Sequence, residues 1–219
     1  MSVHLNQLLD ELKARVARMS TMVYQLVETS VESMLQVDAR LAEQAISQDD
    51  RIDAEEVAVE QSCIGILALQ QPAAGDLRLV TTVIKVNADF ERIADCAVNA
   101  AQRIPPLVRR GDYEPPQDLR LIASSVLATL RDTIKAFNLQ DEALARQVLR
   151  SDDVVDALYH QIVQDMLNLM EQDGQKANTD LSNIMIAKNF ERIGDHCTNI
   201  AEDVIYVHTG RIIRHSHVG

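Results

Sequence analysis

Two stretches of the chain carry the same acidic pattern. Asn189-Phe190-Glu191-Arg192-Ile193-Gly194-Asp195-His196-Cys197-Thr198-Asn199 repeats, 100 residues on, the earlier Asp89-Phe90-Glu91-Arg92-Ile93-Ala94-Asp95-Cys96-Ala97-Val98-Asn99. A second register lies upstream of each copy: Asp49 and Asp53 recur 103 residues later as Asp152 and Asp156. Each half therefore holds two acidic i,i+4 pairs, Asp49/Asp53 with Glu91/Asp95 and Asp152/Asp156 with Glu191/Asp195. On a helix, residues four apart share a face, and like charges so placed repel by a few tenths of a kcal/mol. A bound cation offsets that repulsion. Four carboxylates converging from two helices offer only oxygen, which suits hard cations such as Mg²⁺, Mn²⁺, Ca²⁺ or ferric iron. Asn99 and Asn199 lengthen the stripes by one turn, and Glu202 extends the second further; these three are candidate additional ligands.

Helices must position these stripes. Gly and Pro are sparse, at 7 and 5 in 219 residues, while the chain is rich in Ala, Leu, Val, Glu and Gln, so an all-α fold is expected. From Leu5 through Leu9, Leu12, Val16, Met19, Val23 and Leu26 the apolar spacing alternates three and four, which describes a long amphipathic helix. Asp38 reads as an N-cap that restarts a helix running to about Leu69, and Gln71-Pro72 ends it. A third helix, to about Arg103, bears the first motif. Four of the five prolines then crowd between Pro105 and Pro116, which reads as an exposed, stiff linker. Beyond it the order repeats: a helix to about Asn138, one restarted by Asp141, and a last one to about His208 with the second motif. The expected architecture is two tandem, duplicated, antiparallel three-helix bundles of six long helices. The first bundle spans 1–104, the linker 105–116, the second bundle 117–210, and a basic, flexible, His-containing tail 211–219.

Several function classes recede on composition. The net charge of −12 opposes nucleic acid and anionic lipid, and 3% aromatic residues with no Trp leave no base-stacking platform. No apolar run approaches the roughly 18 residues of a membrane span. The N-terminus lacks the charged and apolar regions of a signal peptide, so a cytoplasmic protein is expected. Cys63, Cys96 and Cys197 sit in apolar helical patterns and read as small buried hydrophobes. There is no Glu-x-x-His, Gly-rich phosphate loop, CxxC pair or HExxH, and no Ser or Cys beside a convincing base, so no enzyme is indicated. Arg92 and Arg192 read as partners of neighbouring carboxylates, and His196 as a polar helix-surface residue.

The pairing of DFERIADCAVNAA with NFERIGDHCTNIAEDVIYVHTG, preceded by LALQQPAAGDLRLV, resembles the PhoU family of phosphate-transport accessory proteins over nearly the whole chain. The resemblance implies paired three-helix bundles, a homodimer, and multinuclear metal clusters of iron, zinc, manganese or magnesium. Carried over by position, the ligands are Asp49, Asp53, Glu91 and Asp95 in the first bundle and Asp152, Asp156, Glu191 and Asp195 in the second. It also implies negative regulation of the phosphate-starvation response, exerted at the inner face of the membrane. The partners implied are the subunits of a phosphate ABC transporter and a sensor histidine kinase. The competing reading is a metal-independent helical adaptor whose acidic faces bind a basic partner protein.

Overall fold

Each half of the chain builds a layer of three long antiparallel helices, and the two layers lie side by side. In the computed structural model, which describes residues 3–212, the first half consists of α1 (Val3–Leu35), α2 (Ala39–Ile46), α3 (Asp49–Gln70) and α4 (Ala74–Ala101). The second half consists of α6 (Gln117–Leu139), α7 (Glu142–Gln172) and α8 (Ala177–Thr209), with a 3₁₀ turn at Gly174–Lys176 before α8. The short α5 (Ile104–Val108) joins them. Turns of two to four residues between consecutive long helices force them antiparallel. α4 packs along α8 and α1 against α6, so the bundles share one continuous core. Phe90 of α4, fully buried, meets Phe137 of α6 edge to face with ring centroids 6.2 Å apart. That aromatic contact spans the junction between the halves.

The restart signals act through their side chains. Asp38 accepts from the Arg40 amide at 2.8 Å, and Asp141 accepts from the Leu144 amide at 3.0 Å, each satisfying a donor that the first helical turn leaves free. The apolar stripe of α1 is buried from Leu9 through Met34, and Ser30 Oγ donates to the Ala97 carbonyl at 2.7 Å, tying α1 to α4 inside the core.

Two expectations need correction. The helix after Asp38 is not continuous: it stops at Ile46 and restarts at Asp49, whereas its counterpart α7 runs unbroken from Glu142. The restart puts Asp49 and Asp50 in the first turn of α3, where the exposed amides and the helix dipole favour negative charge. The Pro-rich stretch, in turn, is not an exposed linker throughout. Pro105 occupies the first turn of α5, and Ile104, Leu107 and Tyr113 are buried against the bundles. Proline ends the preceding helix there without keeping the chain in water. Of the expected tail, Arg211 and Ile212 are exposed, and residues 213–219 lie outside the described residues.

Candidate metal centres

The acidic pairs meet where α7 faces α8 and where α3 faces α4. In the second half one oxygen each from Asp152, Asp156 and Asp195 can be chosen so that all three lie within 4.8 Å of one another. Among the described residues this is the one such group, and the first half has no counterpart at that spacing. Asp152 is half-buried, and its Oδ1 is shielded from water with no hydrogen-bond partner. Burial, then the charges of Asp156, Asp195, Asp153 and Glu191, push the Asp152 carboxyl up to about 6. Asp195 is raised for the same reasons, burial first and then Glu191 and Asp156, with Lys188 and His196 pulling it back. Gly194 faces this carboxylate. A Cβ there would touch Asp152 Oδ1 and Val155 Cγ1, both at 3.4 Å.

Glu191 stands beside the trio but is engaged: both its oxygens accept from Lys188 Nζ, at 2.7 and 2.8 Å. The ammonium also lies 5.1 Å from the Tyr159 ring centroid, a cation–π contact that fixes its direction. Lys188 was not among the sequence candidates. Its counterpart is Ala88, and only the Lys-x-x-Glu spacing hinted at the pair.

The first half assembles a looser and more acidic group. Burial, then Asp53, Asp95 and Asp50, raise the Asp49 carboxyl, and Asp49 Oδ1 is a second buried oxygen with no hydrogen-bond partner. Burial and Asp95 raise Glu91, with Glu56 and Asp53 adding and Arg92 subtracting. Glu56 itself is raised by burial, Glu60 and Asp53. It therefore belongs to this group although the duplicated pattern did not contain it, because Tyr159 stands at its place in the second half. The spacing Asp53-x-x-Glu56 was the available signal.

The extensions of the stripes behave differently. Asn99 is exposed on α4, and Glu202 is half-buried on α8; neither belongs to the trio. Asn199 turns to the other bundle, donating to Asp89 Oδ1 at 3.4 Å, and His196 Nδ1 contacts the same oxygen at 2.9 Å. With Lys85 Nζ 3.4 Å from Asp203 Oδ1, these contacts form a polar seam between α4 and α8. His196 is thus a bundle-to-bundle contact instead of the expected surface residue. Arg92 and Arg192 are exposed.

The donor set fits a hard cation. An anionic oxygen held from water without a partner costs several kcal/mol, and Asp49 and Asp152 each carry one. A cation bound there satisfies that oxygen and cancels the mutual repulsion of its neighbours. Sulfur takes no part: burial pushes the thiols of Cys63 and Cys197 up to about 12 and that of Cys96 to about 11, leaving them protonated.

The duplicated helical fold is shared with known proteins. The family model described as the PhoU domain matches twice, over residues 16–104 and 119–204. A phosphate-specific transport system accessory protein PhoU homolog of Aquifex aeolicus is 34% identical over 210 residues, covering 96% of this chain and 95% of that protein. A homolog of the same description from Pseudomonas aeruginosa is 34% identical over 217 residues, 98% of this chain and 89% of its own length. The crystal structure of PhoU from Pseudomonas aeruginosa superposes with a TM-score of 0.90 at 34% identity, covering 94% of this chain and 99% of that one. The phosphate transport system regulatory protein PhoU from Streptococcus pneumoniae gives 0.87 at 25% identity, covering 95% and 98%. Matched in both halves and along nearly its full length, the chain belongs to the PhoU family.

Proposed function

We propose that this chain is an accessory protein of phosphate transport that holds metal ions in its two carboxylate groups and damps the phosphate-starvation response by contact with a phosphate ABC transporter and a sensor histidine kinase. The observation that carries metal binding is the trio Asp152, Asp156 and Asp195, with a buried, partnerless oxygen on Asp152. The residues assigned to hold metal are Asp49, Asp53, Glu91 and Asp95 in one group and Asp152, Asp156, Glu191 and Asp195 in the other. A bound ion supplies positive charge to helices that otherwise repel one another. The chain's own residues present the oxygens, and the core beneath holds the helices that carry them. The transport role rests on what the relatives are named for, and the regulatory partners on family resemblance. No helix of the described residues is long and apolar enough to cross a membrane. A homodimer carrying two copies of both groups is part of the proposal.

Elemental analysis of the unchelated protein tests the metal assignment. Glu91→Ala with Asp95→Ala is expected to remove about half of the bound metal, and metal content unchanged by that pair refutes the ligand set. Deleting the protein should raise alkaline phosphatase expression in phosphate-rich medium, which tests the regulatory role separately.

One observation favours a metal-independent adaptor as the second reading: Lys188 already neutralises Glu191, so a basic side chain from a partner could serve the other carboxylates. Dialysis against EDTA separates the two readings. An adaptor keeps its thermal melt and its partner binding, whereas a metal-held protein loses stability.

A further inference from the structure

At one end of the second bundle, a few turns of α8 before its acidic motif, three polar side chains replace three apolar ones. The 100-residue offset pairs Thr179, Asp180 and Asn183 of α8 with Leu79, Val80 and Val83 of α4. In α4 these residues are packed into the core, Val80 and Val83 fully and Leu79 in part. Packing alone therefore does not ask for polar groups at this place. In α8, Asp180 is only 5% exposed and Asn183 only 3%.

These side chains line a cleft of about 310 Å³ between the segment after α5, the end of α7 and the start of α8. Tyr113, Met166, Leu169 and Pro116 form its apolar walls. Asn183 is satisfied: its Oδ1 accepts from the Tyr113 hydroxyl at 2.8 Å, and its Nδ2 lies 3.6 Å from Met166 Sδ. Asp180 is not, since its Oδ2 is shielded from water without a hydrogen-bond partner, as is Thr179 Oγ1 beside it.

The rim does not supply the missing charge. Arg110 is engaged with Asp112, Nε to Oδ1 at 3.8 Å, and among the described residues Lys176 forms no ion pair within 4 Å. Asp112, Glu114 and Asp173 leave the rim with an acidic excess. Burial raises the Asp180 carboxyl, and Lys176 and Arg110 only partly oppose this. Asp180 stands in the first turn of α8, whose free amides favour its charge in part, and a charged hydrogen-bond donor brought to it stabilises it further. The apolar walls disfavour a hydrated metal ion, which needs several oxygen ligands, and suit a short alkyl stem.

We infer that this cleft binds an alkylammonium group, its nitrogen donating to the Asp180 carboxylate and its stem lying against Tyr113, Met166 and Leu169. The group is either a free small amine or a lysine side chain presented by a partner, and the chemistry is the same. The site is independent of the metal assignment, and no residue of it belongs to a carboxylate group proposed to hold metal.

The test is a titration of the full chain with n-butylammonium, followed by the methyl resonance of Met166 in methionine-labelled protein and assigned with Met166→Leu. A saturable shift is expected with n-butylammonium and none with n-butanol, its neutral analogue of the same length. Asp180→Asn should weaken binding by roughly tenfold or more, the range for hydrogen bonds to charged groups. The variant Glu43→Gln, an exposed residue of α2 outside the cleft, should leave binding unchanged. Equal shifts with butanol, no saturation, or unchanged affinity in Asp180→Asn overturn the assignment. The comparison of the two ligands on the unaltered chain decides the matter even if Asp180→Asn folds poorly. A further arm identifies the source. Tighter binding of Nα-acetyl-lysine N-methylamide than of butylammonium points to a partner's lysine, and the reverse order points to a free amine.

Discussion

The two carboxylate groups descend from one duplicated pattern, yet their surroundings differ at three points, and each difference acts on charge. Where the first group has Glu56 and Ala88, the second has Tyr159 and Lys188. The first is thus five carboxylates with no lysine among them, and the second four carboxylates with an ammonium already seated on Glu191. The third point is the helix start. Asp49 sits in the first turn of α3, where unpaired amides favour its charge, whereas Asp152 lies deep inside the unbroken α7. In the second group Lys188 takes Glu191, and three oxygens of the other carboxylates lie together. The first has a helix end and Arg92 to offset part of its repulsion, and its oxygens do not come together at that spacing. If both groups hold metal as proposed, similar ligands give a site already drawn together in one bundle and one that closes around its ion in the other.

The largest expected effect comes from the buried oxygen of the preassembled site. Asp152→Asn should weaken metal binding in the second half by about a hundredfold or more, since even outer partners of a ligand are worth tens-fold, while the first half keeps its metal. Titrations of each variant against a competing chelator check this. The same substitution has a signature in the metal-free protein. The Asp152 carboxyl titrates at about 6 when folded and about 3.9 when unfolded, so the folded chain binds more protons between those values. The stability contributed by this group is fully present below about pH 4 and is lost as the pH rises through about 6. Chelated protein should therefore melt lower at pH 7.5 than at pH 5, and Asp152→Asn should flatten that slope.

Next in size is the ammonium. Lys188→Ala makes the second group resemble the first by freeing Glu191, so metal affinity there should rise by about tenfold, near the 1.4 kcal/mol of a charged hydrogen bond. The pair is partly exposed, so the chelated protein should lose only about 0.5–1 kcal/mol of stability. Affinity that falls in this variant would show that Lys188 orients Glu191 for the ion instead of competing with it.

How far the sequence spoke for itself follows from the same residues. The pairs Asp49/Asp53 and Glu191/Asp195 were legible because four-residue spacing and a repeated register depend only on helix geometry. Asp38 and Asp141 were legible as caps because a cap is local. The break between Ile46 and Asp49 was not, since Ser47-Gln48 contains no Gly or Pro and the stop is decided by how α2 packs on α1 and α4. Asn199 kept the stripe's spacing and still turned away, because Asp89 of the other bundle competes for it and no spacing within one helix reveals that neighbour. Glu56 escaped notice for the opposite reason: it breaks the duplication that made the other residues visible.

Glu56 supplies the third prediction. Removing its charge in Glu56→Gln lowers the excess of the first group by one carboxylate while preserving shape. Metal affinity in the first half should fall severalfold, in line with a partner at the margin of a site. Unchanged affinity in both halves would confine Glu56 to supporting the Asn87 side chain, whose Nδ2 donates to the Glu56 carbonyl at 2.9 Å.

The smallest effect concerns the difference between Gly194 and Ala94. Ala94 is buried on α4 without any glycine, so the helix itself does not need one at this position. Gly194→Ala should stabilise α8 by up to about 1 kcal/mol through helix propensity. The added Cβ meets Asp152 Oδ1 and Val155 Cγ1 at 3.4 Å, ordinary contact that leaves the metal-free protein unstrained. It does restrict where the Asp152 carboxylate can move when an ion arrives. The expected result is a chelated protein that melts slightly higher and a second group that binds metal slightly more weakly, with the first group untouched. Ala94→Gly, the reverse exchange, should lower the melt without tightening the first group, because Asp49 is held by its helix end and not by the room a glycine leaves. If Gly194→Ala raises the melt and leaves metal binding as it was, the glycine is an accident of descent and plays no part in seating the ion.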